Sequence, residues 1–155
     1  SPYLMSGIRK SSDASFLAVS HRFSIMDAST QTWAIDRVAQ IAINVHDVER
    51  ATSFYRDVLG LKFLFAAPPG LAFFDCGGMR LMLTTPESPE HDHRSSVIYY
   101  VVPDIAQTYS SLTERGVVFE DKPHVVARLE HVEIWMAFLK DPDGNLLALM
   151  CEVSV

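Results

Sequence analysis

Apolar and polar positions alternate first at Ile41, Ile43 and Val45, set between Ala42 and Asn44, and this period of two predicts a strand with one covered face. Asp47 then stands where a helix N-cap belongs. Val48, Ala51, Phe54, Tyr55 and Val58 follow at helical spacing, so one stripe can lie on the sheet, and Gly60 ends the helix. Three apolar runs come next, at residues 62–65, 71–74 and 79–83, broken by Pro68-Pro69-Gly70 and by the Gly77-Gly78 hairpin turn. The result is one βαβββ unit.

The pattern then repeats. After a polar, Pro-containing connection at 85–95, residues 97–102 read as a strand, and Pro103-Asp104-Ile105 mirrors His46-Asp47-Val48. Ile105, Thr108, Tyr109 and Leu112 form the second helical stripe, and Gly116 matches Gly60. Strands are expected at 117–119, 125–126 and 132–139, with Asp143-Gly144 turning the chain into 146–150. An internal duplication with a period of about 60 residues organises the chain. The expected parts are an N-terminal extension (1–34) and one domain (35–155), itself divided into module one (35–86), a linker (87–95) and module two (96–153).

With 155 residues, 48% of them hydrophobic, the chain can bury a substantial core. A net charge of −6 without a basic run argues against a nucleic-acid partner, which would need clustered Lys and Arg. Cys76 and Cys151 both fall in strand-like apolar runs, where a free thiol packs as a small hydrophobe, and a reducing, cytoplasmic setting is expected. No apolar run approaches the roughly 20 residues of a membrane span, so no membrane partner is expected. The extension is Ser-rich with few acidic residues, as in a transit peptide, but Asp13 and the absence of an Arg-rich amphipathic pattern argue against one.

Three stretches, IAINVHDVERATSFYRDVLGL, VVPDIAQTYSSLTERGV and FLKDPDGNLLALM, resemble in order the vicinal oxygen chelate superfamily. That group holds glyoxalases, methylmalonyl-CoA epimerase, extradiol dioxygenases, fosfomycin-resistance enzymes and bleomycin-resistance proteins. The likeness spans residues 38–152. It implies an α+β fold of two tandem βαβββ modules whose mixed sheet curls round an open cleft, and pairing as a homodimer. Because both modules lie in one chain, a closed cleft is expected to need no second subunit.

Enzymes of this family place a metal ligand on the first and on the last strand of each module. The resemblance carries those positions onto Gln40, Met82, Val97 and Ala148. Glutamine is a known alternative ligand in the family, but the Met thioether is soft and Val and Ala have no donor. No resident metal or other cofactor is therefore expected, with a divalent ion on other ligands as the alternative. His91 and His93 form an H-x-H pair around Asp92, though in the linker, where a solvated loop is the plainer reading. His131 and Glu133 lead into a strand bordering the cleft and are the candidate catalytic acid/base pair, against the plainer reading of a polar hairpin end. His46 and His124 are expected to be solvated at turns.

If the four family positions mark the cleft side, strand alternation gives the remaining lining. The candidate ligand-binding residues are Gln40, Asn44, Phe73, Arg80, Met82, Val97, Tyr99, Met136, Phe138, Ala148 and Met150. This apolar, Met- and aromatic-rich set, with Gln40, Asn44, Arg80 and Tyr99 as polar anchors, suits a flat or greasy small molecule held by burial at about 25 cal/mol per Å². Plain core at strand spacing is the competing reading. Three functions stay open: a binding protein, as the bleomycin-resistance proteins are; a glyoxalase-like lyase, isomerase or dioxygenase with non-standard ligands or His131/Glu133 chemistry; or a dimeric interaction module whose cleft is filled by side chains.

Overall fold

The computed structural model describes residues 33–155. His21 and nearly all of the extension lie outside them. Module one runs β1 (Gln40–Asn44), α1 (Val48–Ser53), β2 (Lys62–Ala67), β3 (Leu71–Cys76) and β4 (Met79–Thr84). Module two runs β5 (Ile98–Val101), α2 (Ile105–Glu114), β6 (His124–Arg128), β7 (Val132–Lys140) and β8 (Leu146–Ser154). Each forms a four-stranded mixed sheet, in the orders β1-β4-β3-β2 and β5-β8-β7-β6, with the first and last strands of each module parallel. Identical strand order in both sheets bears out the duplication and the α+β fold of tandem βαβββ modules.

Both helices start as their sequences dictate. The Asp47 carboxylate accepts from the Arg50 backbone N–H and that of Asp104 from Gln107 N–H, satisfying amides that a first turn leaves orphaned. The copies then diverge, because one residue more lies between Asp47 and Gly60 than between Asp104 and Gly116. The surplus is absorbed by a π-helical turn, Phe54–Val58, in which Leu59 N–H donates to Phe54 O at 3.0 Å. Gly60 then leaves the helix at φ +77°.

Odd-numbered residues of β1 and β4 and even-numbered residues of β3 face α1. On the other sheet, Ala137 and Leu139 of β7 and Leu147, Leu149 and Cys151 of β8 face α2. All of these join one buried cluster with Ala51, Tyr55, Ile105 and Leu112. The two modules thus share a single core on their helix-bearing sides. Cys76 and Cys151 are both free.

Strands β2 and β6 each carry a bulge. The one in β2 falls between Phe63 and Phe65, so Phe63 turns into the core beside Phe74 while Phe65 turns to the opposite face beside Phe73. Its counterpart in β6 falls between Val125 and Ala127. The strand expected at 117–119 is not formed. Only Phe119 bridges Leu139, because the next residues are charged and end in Pro123, which has no amide to extend a ladder.

Buried polar groups tie the modules together. The Tyr55 hydroxyl in module one donates to Asp141 Oδ2 in module two at 2.9 Å, and Asp141 also accepts from the backbone N–H of Asp143 and Asn145 and from Asn145 Nδ2. Arg115, past the end of α2, donates to the Asp57 and Val58 carbonyls at the end of the π turn.

Replacing Gly60 by Val should lower unfolding free energy by more than about 1 kcal/mol, because a β-branched residue is forced into a left-handed conformation. No atom of the described residues lies within 4 Å of the added Cβ, so the cost is backbone strain. Denaturant unfolding showing no change would contradict this helix stop. Tyr55→Phe should cost about 1.5 to 3 kcal/mol in the same assay, the value of a buried hydrogen bond to a charged acceptor.

Candidate ligand-binding faces

On the face of sheet one that turns away from α1, Gln40 pairs with Arg80 and Ala42 with Met82 across the parallel ladder, and Phe73 lies opposite Met82. Gln40 Nε2 reaches Met82 Sδ at 3.7 Å. Phe65 stacks on Phe73 with ring centroids 4.7 Å apart, and the Arg80 guanidinium sits 5.5 Å from the Phe73 centroid. Phe65, Phe73 and Arg80 therefore form one row, which the β2 bulge completes. Phe65 remains 46% exposed and Arg80 is exposed. Phe65 is absent from the expected lining, since plain alternation would send it into the core after Phe63.

The corresponding face of sheet two holds the rest. Met136 lies opposite Met150, and Phe138 opposite Ala148, which is flanked on its other side by Tyr99. Tyr99 meets Phe138 edge-on at 6.3 Å. Ile134, Met136, Phe138 and Ala148 are buried, packed against Val97, Val126, Val132, Leu146 and Met150. Tyr99 and Val101 stay 39% and 77% exposed at the rim.

The structure does not bring these two sets together within the chain. The second apolar cluster draws on sheet two and its flanks alone. Each half of the expected lining forms its own set, the exposed Phe65-Phe73-Arg80 row on sheet one and the buried Met136, Phe138 and Ala148 cluster on sheet two.

Asn44 is also withdrawn from the lining. Its side-chain amide donates to the His91 and His93 carbonyls at 2.8 and 3.0 Å, and its backbone N–H donates to Ser95 Oγ. It fastens the linker. His91 and His93 turn their Nδ1 atoms to Ser88 Oγ and Arg94 O.

His131 and Glu133 do not form the expected pair. His131 precedes β7 and lies 3.8 Å from Glu130, whereas Glu133 accepts from Arg128 Nε and Trp135 Nε1, on the α2 side of the strand. Because side chains alternate, Glu133 and Trp135 point away from Met136 and Phe138. His124 is not a solvated turn residue either. It lies in β6 with Nδ1 on Lys122 O and a buried Nε2 that has no partner among the described residues.

A polar site that spacing alone did not reveal is centred on His46. Its Nε2 lies 2.8 Å from Asp92 in the linker and its Nδ1 3.6 Å from Asp143 in module two, while its backbone N–H also donates to Asp143. Arg50 reaches the same Asp143 carboxylate at 3.3 Å. The hydrogen bond and charge of Asp92 raise the His46 pKa above its ordinary value, with Asp143 adding and Arg50 opposing.

The family metal positions fail on donor chemistry. Gln40 and Met82 are neighbours on sheet one, but Val97 and Ala148 on sheet two offer no lone pair, and a thioether is a poor ligand for a hard or borderline divalent ion. Among the described residues, no three His, Cys, Asp or Glu side chains are grouped to hold an ion.

A sequence profile described as the Glyoxalase/Bleomycin resistance protein/Dioxygenase superfamily matches residues 37–149. The chain belongs to that superfamily. It is similar to the uncharacterized protein YraH of Bacillus subtilis (strain 168), at 29% identity over 126 residues, covering 73% of this chain and 96% of that one. A superfamily member from Sphaerobacter thermophilus has a similar structure, with TM-score 0.65 and 26% identity over 76% of this chain and 98% of its own. TnmS3, an antibiotic binding protein from a Streptomyces species, aligns with TM-score 0.63 and 26% identity, covering 77% and 98% of the two chains.

The raised His46 pKa sets a pH dependence with a definite sign. The clasp on Asp92 is fully present below the unfolded-state value of about 6.5 and is lost as pH climbs through the folded-state value. In an NMR titration His46 should therefore titrate above about 6.5, and Asp92→Asn should bring its midpoint down. A midpoint indifferent to Asp92→Asn would show that the contact is not formed.

Proposed function

We propose that this chain binds a flat, aromatic or otherwise apolar organic molecule, and that the binding cleft forms between two copies in a homodimer. The observation that carries the reading is the pair of separate side-chain sets, the Phe65-Phe73-Arg80 row on sheet one and the apolar cluster around Met136, Phe138 and Ala148 on sheet two. In a two-fold dimer, the outer face of sheet one in one copy meets the outer face of sheet two in the other, and the symmetry makes the arrangement twice. Residues 35–86 and 96–153 are then the two half-sites, and the 87–95 linker spaces them.

The chemistry of each half comes from its side chains. Sheet two contributes a greasy floor of Met136, Phe138, Ala148 and Met150, with Val97 beside it and Tyr99 at the rim. Sheet one contributes Gln40, Met82 and the Phe65-Phe73-Arg80 row. A planar ring extends that row by stacking, and an acidic substituent on the ring pairs with the guanidinium, which among the described residues has no carboxylate partner. Likeness to an antibiotic binding protein supports binding over turnover. So does the donor chemistry of the four family positions. The enzyme alternative loses its proposed base, because Glu133 is occupied on the far side of β7. The protein is read as cytoplasmic, without a resident metal or a nucleic-acid or membrane partner.

Anthraquinone-2-sulfonate, a flat aromatic anion, is a suitable probe. It should bind saturably by fluorescence quenching, and Arg80→Ala and Tyr99→Ala should each weaken it about tenfold or more. Mixing the two variants and allowing subunits to exchange should restore tight binding in about a quarter of the clefts, because each mixed dimer regains one intact pair of faces. No restoration, or a monomer by analytical ultracentrifugation, would overturn the shared cleft. Retention of about one Zn, Ni, Mn or Fe ion per chain after loading and desalting would overturn the metal-free reading.

A further inference from the structure

Strand β8 outruns one of its neighbours. Along one side it pairs with β7 over its whole length, from Leu146 opposite Lys140 to Ser154 opposite Val132, but along the other it pairs with β5 only from Leu147 to Met150. In module one the corresponding strands stay together to the end of β4, where Val45 N–H still donates to Thr84 O. The ladder in module two breaks off because Pro103 has no amide to extend it and Asp104 turns the chain into α2 as its cap.

The stretch left open has a definite bonding pattern. Met150 O accepts from Val102 N–H, whereas Val155 N–H donates to His131 O, so even-numbered residues of β8 present their backbone groups toward β5 and odd-numbered ones toward β7. The N–H and C=O of Glu152 and Ser154 therefore point past the end of β5. Both residues are exposed, and among the described residues these groups meet nothing beyond a 3.7 Å contact of Cys151 Sγ with Glu152 O. An open row of this kind accepts one more strand. Beside it lies a groove of about 490 Å³ between β8 and the start of α2, walled by Ile105, Ala106, Pro123, Trp135, Cys151 and Val153. Among the described residues, the charged side chains of the lining are Asp104 and Glu152, both acidic and neither in an ion pair. By parity Glu152 stands with Met150 on the face away from α2, while Cys151 and Val153 stand in the groove.

An occupant is thus specified: an extended segment with apolar side chains at alternate positions and a cation on its other face. The chain carries one outside the described residues. Residues 22–26, Arg-Phe-Ser-Ile-Met, place Phe23 and Ile25 on one face of a strand and Arg22 and Ser24 on the other. The neighbouring run at 16–19 is apolar throughout and holds no cation. The tether also suffices. Ala39 O accepts from Arg80 N–H next to Met79, and Met79 lines one cavity with Val101 and Val102, so the entry to β1 lies near the end of β5. The stretch 27–38 can span about 40 Å.

We propose that residues 22–26 add to the free edge of β8 as a further strand, hydrogen-bonded to the backbone of Glu152 and Ser154, with Phe23 and Ile25 in the groove against Trp135 and Arg22 beside Glu152. Backbone pairing sets the position, and the groove supplies the burial that an edge contact alone lacks. The added strand also covers an edge that would be open to pairing with other chains. Neither a ligand nor a shared cleft enters the contact, so it stands or falls apart from the binding reading.

Hydrogen exchange on the full chain, read at single amides by NMR, tests the contact. The Glu152 and Ser154 amides should exchange at least about tenfold more slowly in the unsubstituted chain than in the double variant Phe23→Asp/Ile25→Asp. The Leu149 and Met150 amides, held by β7 and β5, should exchange alike in both, which also reports that the variant is folded. Nuclear Overhauser contacts should join the Phe23 ring to the Trp135 indole. Arg22→Glu should remove about two- to fivefold of the protection, and adding Glu152→Arg should return it, as for an exposed ion pair. Free exchange of Glu152 and Ser154 in the unsubstituted chain, protection indifferent to Phe23→Asp/Ile25→Asp, or protection that rises with protein concentration, the mark of a second copy on the edge, would each overturn the proposal.

Discussion

The Asp141 carboxylate is the constraint on which the joined structure depends. It is buried, yet no cation among the described residues forms an ion pair with it; instead, four donors converge on its two oxygens, from the Tyr55 hydroxyl, the Asn145 side chain and two backbone amides. A buried charge is tolerable only when its lone pairs are met in this way. Three of the donors come from its own turn, which fixes the turn's shape. The fourth comes from the helical segment of the other module, and so fixes where module one sits. Burial and the nearby carboxylate push the Tyr55 pKa far up, which keeps its hydroxyl protonated and able to donate.

That joint sets the remaining geometry. Asn145, held by Asp141, bonds both the Asn44 carbonyl and the Ser95 amide, so the end of β1 and the approach to β5 are fixed to one side chain. Arg115 meets the carbonyls freed at the end of the π turn, tying the two helix ends together. With the helix-bearing sides locked into one core, the opposite faces gather their own side chains, Phe65, Phe73 and Arg80 on sheet one and Met136, Phe138 and Ala148 on sheet two.

Most of this architecture is legible in the chain, and the exceptions share a cause. Alternation in β1 and β4, the helical stripe through Ala51 and Tyr55, the aspartate caps and the glycine stops are local signals, each readable within a few residues. The β2 bulge is not local. Leu64 is surplus only relative to β3, so nothing in 62–67 alone shows that Phe65 will turn away from Phe63 and join Phe73. Asn44 falls in the expected lining by parity, but its amide is claimed by linker carbonyls that no spacing rule brings near. His46 and Asp92 are 46 positions apart, and their contact exists only once the linker is folded back. Asp143-Gly144 reads as a turn from sequence. Its use, with Asp141, as the clasp for module one needs the second module in place.

The groups that hold the modules together and those on the opposite sheet faces are therefore nearly disjoint. Asp141, Asn145, Tyr55, Arg115 and the two caps act on the helix sides and at the joints, while Gln40, Arg80, Met82, Phe138 and Ala148 look the other way. A substitution on an outer face removes no partner from the joints. Val97 and Ala148 carry no side-chain hydrogen bond, so the joints do not run through those positions. The same separation explains why fold and family fix so little of the chemistry here, and why the outer-face side chains themselves must be read for it. Among them Arg80 has the most directional reach, and it is already oriented by the Phe73 ring beneath it.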